Sequence, residues 1–315
     1  MEKENQAAPR HRRECPHAKK CSGCQLQNLA YGDQLAWKEN RVRRLIGRFC
    51  PVRPIWGMDK PYHYRNKVQA AFGLDRNRHI ISGVYQSATH RIVPVDSCMI
   101  EDPTADAIIV TIRRLMPAFK MTAYDERTGT GFLRHVLVKR GFATGEVMVV
   151  LVAATPIFPA QKHFAAKLRA LHPEITTILL NVNDKFLPLA LGPREKVLYG
   201  RGYIEDVLCG RVFRISSRSF YQINPVQTEK LYRTATELAG LTGEETVLDA
   251  YCGVGTIGLV ASRKAKQVLG VELNRDAVRD AIVNAKLNGV QNCWFTCGDA
   301  GQFMEETAAA VSSMN

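Results

Sequence analysis

A β-branched, apolar run at Thr246-Val247-Leu248 leads into Gly253-Val254-Gly255-Thr256-Ile257-Gly258, and a second such run, Val268-Leu269-Gly270-Val271, stops at Glu272. Strand, glycine turn, short helix, strand and acid, in that order, are the makings of a sheet-and-helix domain with a pocket for a nucleoside cofactor. The glycines let the main chain turn tightly and approach a ligand that a side chain would exclude. A carboxylate at the end of the second strand can accept hydrogen bonds from both ribose hydroxyls. Two cofactor types suit this loop. A dinucleotide would set its pyrophosphate on the helix N-terminus, whereas S-adenosylmethionine (SAM) carries no phosphate. The bland alternative is an ordinary tight strand-to-helix turn.

Upstream, Ser219-Phe220-Tyr221-Gln222-Ile223-Asn224-Pro225 ends as a helix start, with Asn224 suited to the N-cap and Pro225 to the first helical position. Val226, Leu231, Ala235 and Leu238 then mark one face for burial, up to a C-cap at Gly240. Gln222 lies on the approach to this helix, towards the region the glycine loop also faces. A third strand, Cys293-Trp294-Phe295-Thr296-Cys297, is followed by Gly298-Asp299.

Cys15, Cys21 and Cys24 form a C-x5-C-x2-C run in a polar loop that includes Pro16, His17, Lys19, Lys20, Ser22 and Gly23. Thiolates at this spacing suit zinc or an iron–sulfur cluster. Cys50, Cys209, Cys252, Cys293 and Cys297 have no ligand spacing. Nine cysteines, an odd number, argue for a reducing cytoplasm over a disulfide framework. Lys and Arg number 43 against 30 acids, a net charge of +13, which favours phosphate contact over a membrane or acidic small-molecule role. No stretch approaches the ~20 apolar residues that span a bilayer, and Met1-Glu2-Lys3-Glu4-Asn5-Gln6 has no secretory hydrophobic character.

The positive charge is grouped. Arg10, Arg12, Arg13, Lys19 and Lys20 flank the cysteines, and Tyr62-His63-Tyr64-Arg65-Asn66-Lys67 interleaves aromatics with bases, an arrangement able to stack on unpaired bases while holding phosphates. Residues 26–49 read as one basic helix with Leu35, Val42, Leu45 and Ile46 apolar, stopped near Pro51. Val68 to Gln86 reads as a hairpin around Asp75-Arg76-Asn77-Arg78. Asp102-Pro103 opens a helix with Ile108, Ile109, Ile112, Leu115 and Met116 inward. Strands near 132–139 and 147–153, a helix near 164–171 and a strand near 175–182 suggest an α+β middle domain. A hairpin-rich stretch, 187–217, follows.

Asp249-Ala250-Tyr251-Cys252-Gly253-Val254-Gly255 resembles the first motif of SAM-dependent methyltransferases, where an acid precedes the glycines. Together with Phe220-Tyr221-Gln222-Ile223-Asn224-Pro225 it resembles the bacterial RNA uracil-5-methyltransferases of the ribosomal-RNA type. The resemblance implies that Gln222, Tyr251 and Glu272 contact SAM beside Gly253 and Gly255. An acid at the place of Asp299 can meet the adenine amine in methyltransferases generally, with a solvated turn aspartate as the alternative. It further implies that Cys98, in Asp96-Ser97-Cys98-Met99, joins Cys15, Cys21 and Cys24 around a [4Fe–4S] cluster, with zinc as the runner-up. It assigns the Tyr62–Lys67 stretch to RNA, with 23S ribosomal RNA as the target in this reading and transfer RNA or a non-catalytic iron–sulfur RNA-binding module as rivals.

The expected organisation is α/β and α+β multidomain: a four-cysteine module with a basic helix (1–58), a central α+β domain (59–186), a connecting hairpin region (187–218), and an incomplete Rossmann-like SAM-dependent methyltransferase domain (219–315). In the resembled family a cysteine adds to uracil carbon 6, carbon 5 takes the methyl group, and a base removes the carbon-5 proton. That nucleophile sits in a Ser-Cys-Asn-Pro segment, after Asp-Pro-Pro-Arg. Neither segment occurs here, so no catalytic residue is assigned, the catalytic segment is expected beyond Asn315, and the first strand of the cofactor domain is expected to be a bare sheet edge.

Overall fold

The computed structural model describes residues 15–184 and 191–312. The expectations placed on Met1–Gln6, Arg10, Arg12, Arg13 and Leu187 lie outside the described residues.

The first helix, α1 (Tyr31–Ile46), is shorter than the 26–49 expected from its periodicity, and none of its residues is buried. Residues 25–29 form turns ahead of it, and Gly47 closes it by donating its N–H to Arg43 O. Of its apolar residues Leu35 is half-buried, whereas Val42, Leu45 and Ile46 stay open, with Leu45 64% exposed.

A central sheet follows. Strands β1 (Lys67–Leu74) and β2 (Ile80–Tyr85) make the expected hairpin, its turn held by Asp75, whose Oδ1 accepts from Asn77 N and His79 N. Strand β3 (Ile92–Pro94) is followed by α2 (Pro103–Leu115). Asp102 caps α2 by accepting from Ala105 N, and Pro103 supplies the fixed φ of the first turn. Then come β4 (Leu133–Arg140), β5 (Val147–Ala153), α3 (Gln161–Leu171), β6 (Ile175–Val182) and β7 (Arg194–Tyr199). The sheet order is β3-β2-β1-β4-β5-β6-β7, antiparallel except between β5 and β6. The α3 crossover explains that exception, since parallel neighbours need a long connection. Strand β7 extends this sheet past the boundary expected at 186, because it pairs with β6 from Val182 opposite Arg194 to Ile178 opposite Tyr199.

Both faces of the sheet are covered, which explains a strand such as β5, Val-Met-Val-Val-Leu-Val-Ala, buried at all seven positions. On one face Val136, Val149, Leu151 and Ile178 pack with Ile108, Ile112 and Met116 of α2 and Phe164 and Leu168 of α3. Fully burying each such side chain stabilises the fold by about 1.5–3 kcal/mol. On the other face Met148, Val150 and Leu179 meet the hairpin of β8 (Tyr203–Leu208) and β9 (Arg211–Ser216), and this core runs on to Tyr221, Tyr232, Leu259 and Ala285. One apolar cluster therefore spans the central sheet and the C-terminal unit.

That unit comprises α4 (Pro225–Leu238), β10 (Thr246–Ala250), α5 (Thr256–Ala261), β11 (Gln267–Glu272), α6 (Arg275–Leu287), β12 (Cys293–Cys297) and α7 (Ala300–Ser312). Its strands lie parallel in the order β10-β11-β12. Among the described residues β10 has no second neighbour. A groove of about 360 Å³ runs beside it, lined by residues such as Ala235, Ala239, Val247, Leu248 and Ile257. The inward side of α4 differs from the one read from its apolar positions. Thr228 and Tyr232 are buried, whereas Val226, Leu231 and Leu238 are 58%, 60% and 70% exposed. On its inner side Thr228 Oγ1 donates to Asn224 O and the Tyr232 hydroxyl lies 2.9 Å from Thr256 Oγ1 of α5.

Candidate cofactor site

The turn after β10 is built from left-handed backbone: Tyr251 has φ 61°, Gly253 φ 56° and Gly255 φ 78°. A Cβ on Gly255 would stand 3.0 Å from the Phe295 ring and 3.2 Å from Ala281 Cβ, so glycine is demanded by space as well as by φ. Tyr251 bears a conformational cost of order 1 kcal/mol for its left-handed φ, yet its side chain is 74% exposed. Backbone strain with an open aromatic beside it is the kind of feature kept at ligand sites.

Glu272, at the carboxyl end of β11, braces this loop. Its Oε2 accepts from Gly253 N at 3.1 Å and its Oε1 from Asn274 N at 2.9 Å. Each oxygen keeps a further lone pair for a hydroxyl donor. Asp249 is buried, and its Oδ2 accepts from Gly258 N at 2.9 Å, fixing the start of α5. Burial pushes its carboxyl up to about 6, against the lowering effect of the Gly258 bond.

Gln222 lies beside Tyr232, whose hydroxyl is 2.9 Å from Thr256 Oγ1, one residue past Gly255. The Gln222 carbonyl accepts from Asn66 Nδ2 and the Ile223 carbonyl from Asn66 N, both at 3.0 Å. Asn224 accepts from Gln227 N as the expected cap of α4. Asp299 closes the row of strand ends: Gly298 N donates to Glu272 O at 3.1 Å, and Asp299 Oδ1 accepts from Gln302 N as the cap of α7. The structure thus brings Gly253, Gly255, Glu272 and Asp299 to the carboxyl ends of parallel strands, where open α/β sheets take ligands, while Gln222 is linked to them only through its proximity to Tyr232.

Two residues that sequence reading missed hold this arrangement. Asn284 of α6 is fully buried, donates Nδ2 to Val254 O at 3.1 Å, and accepts from Arg214 N of β9 at 2.8 Å. Lys139 of β4, also buried, donates Nζ to Ser216 O and Ser219 O, both at 2.8 Å, anchoring the segment that ends in Gln222. Burial, with the neighbouring Lys67 charge, pushes its ammonium down to about 7. No local signal marks either residue, because their partners lie far away in sequence.

The Tyr62–Lys67 stretch is held through its main chain, with Asn66 buried, His63 exposed and the other side chains half-buried. Arg65 N donates to Ile100 O, Asp102 N to Arg65 O, and His63 Nδ1 lies 2.9 Å from Glu101 O, while Asn66 is engaged with the Gln222 segment. Buried main chain must find partners, and two extended segments here satisfy each other.

The cysteine loop rests against the segment carrying Cys98: His17 Nε2 lies 3.2 Å from Ser97 O, and Ser22 Oγ accepts from Ser87 N at 3.2 Å. Burial raises the Cys24 thiol, and the neighbouring Cys21 and Cys15 add to this. Burial pushes Cys98 up to about 11, and Tyr64 lies within electrostatic range of both Cys24 and Cys98. Four thiols in one neighbourhood fit zinc or iron–sulfur in donor chemistry. In geometry, no three metal-ligating side chains converge among the described residues. Cys252, inside the glycine turn, is buried with its thiol pushed up to about 12, first by burial and then by Asp249 and Glu272, so it is no nucleophile.

Residues 30–311 match the family model described as tRNA (Uracil-5-)-methyltransferase. An uncharacterized RNA methyltransferase of Halalkalibacterium halodurans is 42% identical over 295 residues, covering 92% of this chain and 64% of that protein. One of Enterococcus faecalis is 44% identical over 285 residues, covering 89% and 62%. The crystal structure of Pyrococcus abyssi tRNA (uracil-54, C5)-methyltransferase in complex with S-adenosyl-L-homocysteine superposes with a TM-score of 0.74 at 26% identity, covering 88% of this chain and 65% of that one. The chain spans just under two thirds of the length of these relatives.

Proposed function

This chain belongs to the tRNA (uracil-5-)-methyltransferase family, and from that membership we propose that it binds SAM for the methylation of carbon 5 of uracil in RNA. The observation that carries the reading is the bond by which the Glu272 carboxylate, at the end of its strand, holds Gly253 of the left-handed turn Tyr251–Gly255, with the Tyr232–Thr256 contact next to it. Glu272 accepts the ribose hydroxyls, Gln222 and Tyr251 bound the cofactor, and Asp299 stands where the adenine amine falls. Bound SAM supplies an electrophilic methyl group. The residues of this chain bind and orient it. Neither the Asp-Pro-Pro-Arg nor the Ser-Cys-Asn-Pro segment of the resembled family occurs in these 315 residues, so the thiolate that activates uracil is assigned to no residue here.

Calorimetric titration tests the cofactor assignment. The chain is expected to bind S-adenosylhomocysteine and SAM in preference to NAD, with Glu272→Ala and Gln222→Ala each weakening binding about tenfold or more, in line with lost hydrogen bonds to a ribose or to the loop. Failure of the parent chain to bind either ligand, or unchanged affinity in both variants, would falsify the assignment.

Cys15, Cys21, Cys24 and Cys98 would hold a [4Fe–4S] cluster with a structural role, in a cytoplasmic enzyme acting on 23S ribosomal RNA; methylation itself calls for no electron transfer. Zinc is the competing occupant. Anaerobic reconstitution distinguishes them by iron and sulfide content and by the visible charge-transfer band, which Cys98→Ser should abolish. A second reading, transfer RNA as substrate, draws on the fold shared with the archaeal tRNA enzyme. Deleting the gene and mapping 5-methyluridine decides between them: loss from 23S RNA supports the first, loss from the tRNA T-loop the second.

A further inference from the structure

Helix α1 carries two dissimilar faces. Tyr31, Leu35 and Glu39, spaced by four, turn towards the strap 55–58: Tyr31 Oη accepts from Met58 N at 2.7 Å, Glu39 Oε2 accepts from Ile55 N at 2.9 Å, and Gly57 packs on Leu35. The strap is tied in turn to α4, since Gln227 Nε2 donates to Trp56 O at 3.1 Å and Asn224 Nδ2 lies 3.2 Å from Met58 Sδ. The helix is thereby fixed to the segment that bears Gln222.

The opposite face holds Trp37, Arg41, Arg44 and, in the turn beyond, Arg48. At 100° per residue these four fall within an arc of about 60°. All are exposed. Arg41 lies over the Trp37 ring, 5.4 Å from its centroid, and Arg48 over the Phe49 ring at 4.4 Å. Phe49 is 71% exposed. Among the described residues no carboxylate lies within 4.0 Å of Arg41, Arg44 or Arg48, whereas Arg43 is neutralised by Glu39 at 2.7 Å.

We propose that this stripe is a docking platform for unpaired RNA, the aromatic rings stacking bases and the three guanidiniums taking phosphates. From Trp37 to Arg48 the stripe is about 16 Å long at the helical rise, room for several phosphates at about 3.4 Å per stacked nucleotide. Charge complementarity selects the occupant. Aromatics interleaved with unpaired cations match a strand that is anionic on one side and has π-faces on the other. A membrane would want the aromatics among the apolar residues; Phe49 does lie beside Val42, Leu45 and Ile46, but Trp37 and the three arginines lie away from Val42 and Ile46, so the charged stripe with Trp37 carries the choice of RNA. The platform rests on the methyltransferase reading for its biological meaning and on α1 alone for its geometry.

Anisotropy of a fluorescein-labelled, unstructured RNA oligonucleotide, titrated with the whole chain over a range of salt, tests the platform. Trp37→Ala with Phe49→Ala should weaken binding about tenfold or more at an unchanged salt slope. Arg41→Gln with Arg44→Gln and Arg48→Gln should flatten the slope of log K against log salt by about 2, at ~0.7 for each phosphate left without its guanidinium. Parental affinity in the aromatic variant overturns the proposal even if the arginine variant weakens. So does a chain that binds anionic phospholipid vesicles, but not RNA, through the same arginines, or one in which the substitutions alter only self-association. Circular dichroism melting should match the parent, since every substituted residue is exposed. SAM affinity should hold in all variants; its absence in the parent sinks the methyl-donor reading and leaves the RNA result standing.

Discussion

Replacing Asn284 by alanine strikes the glycine turn without touching any residue that faces a ligand. The side chain is 0% exposed and Val254, whose carbonyl it holds, 1%. Removal orphans the Val254 carbonyl, bonded at 3.1 Å, and the Arg214 N–H, bonded at 2.8 Å. An unsatisfied buried polar group costs about 1–3 kcal/mol, so two together cost roughly 2–5 kcal/mol, less whatever an entering water recovers. Because the lost bonds join α6 and β9 to the turn, the cost is local, and it appears as easier opening of that region. Hydrogen exchange read by mass spectrometry over peptides covering 252–258 should accelerate about a hundredfold at ~1.4 kcal/mol per tenfold. SAM affinity should fall with it. Asn284→Asp should fare no better, since it keeps the acceptor for Arg214 N but sets a carboxylate oxygen against the Val254 carbonyl. Unchanged exchange over 252–258 in the alanine variant would refute the claim that Asn284 holds the turn.

Two further predictions concern buried titrating groups. Asp249 titrates at about 6 in the fold against an ordinary value of 3.8. The folded state therefore binds the proton more tightly, and this group's contribution to stability falls as pH rises between about 4 and 6 and stays low above, by at most about 3 kcal/mol. Asp249→Asn keeps an acceptor for Gly258 N, so urea midpoints of variant and parent should diverge across that window, the variant gaining as pH rises; parallel curves would sink the assignment. Lys139 titrates at about 7 in the fold against 10.5, so burial penalises its charged form fully below about 7 and the penalty lifts as pH rises towards 10. The parent should gain stability from pH ~7.5 to ~9.5 relative to Lys139→Met, which at the same time loses the donors to Ser216 O and Ser219 O and should bind SAM more weakly; equal slopes would show that Lys139 is no buried titrating group.

Much of the site was legible because it is local. The strands 246–250 and 267–272, the left-handed Gly253 and Gly255, and the Asn224 and Asp102 caps depend on residues within a few positions of one another, and the structure has them where the pattern put them. The burial expected of α4 fails for a physical reason: apolar spacing places Leu231, Ala235 and Leu238 on one side and leaves Val226 off it, and spacing does not say that anything covers that side. Strand β7 was assigned to a connector because pairing with β6 is invisible from either strand alone. That the main chain of the Tyr62–Lys67 stretch pairs with the 98–102 segment is likewise invisible from either segment alone.

By itself the sequence determined a glycine turn between two parallel strands, an acid at the second strand's end, and a glutamine ahead of a capped helix. Those are short-range consequences of φ, hydrophobic period and hydrogen-bond capping. Only the tertiary structure decided that Asn66 clasps the Gln222 segment across the domain, that Asn284 and Lys139 hold the turn and its approach, and that the Trp37 face of α1 points outward. Side chains distant in sequence meet only after an apolar core has closed around them, and a buried polar group gains its partner, its shifted pKa and its role at that moment.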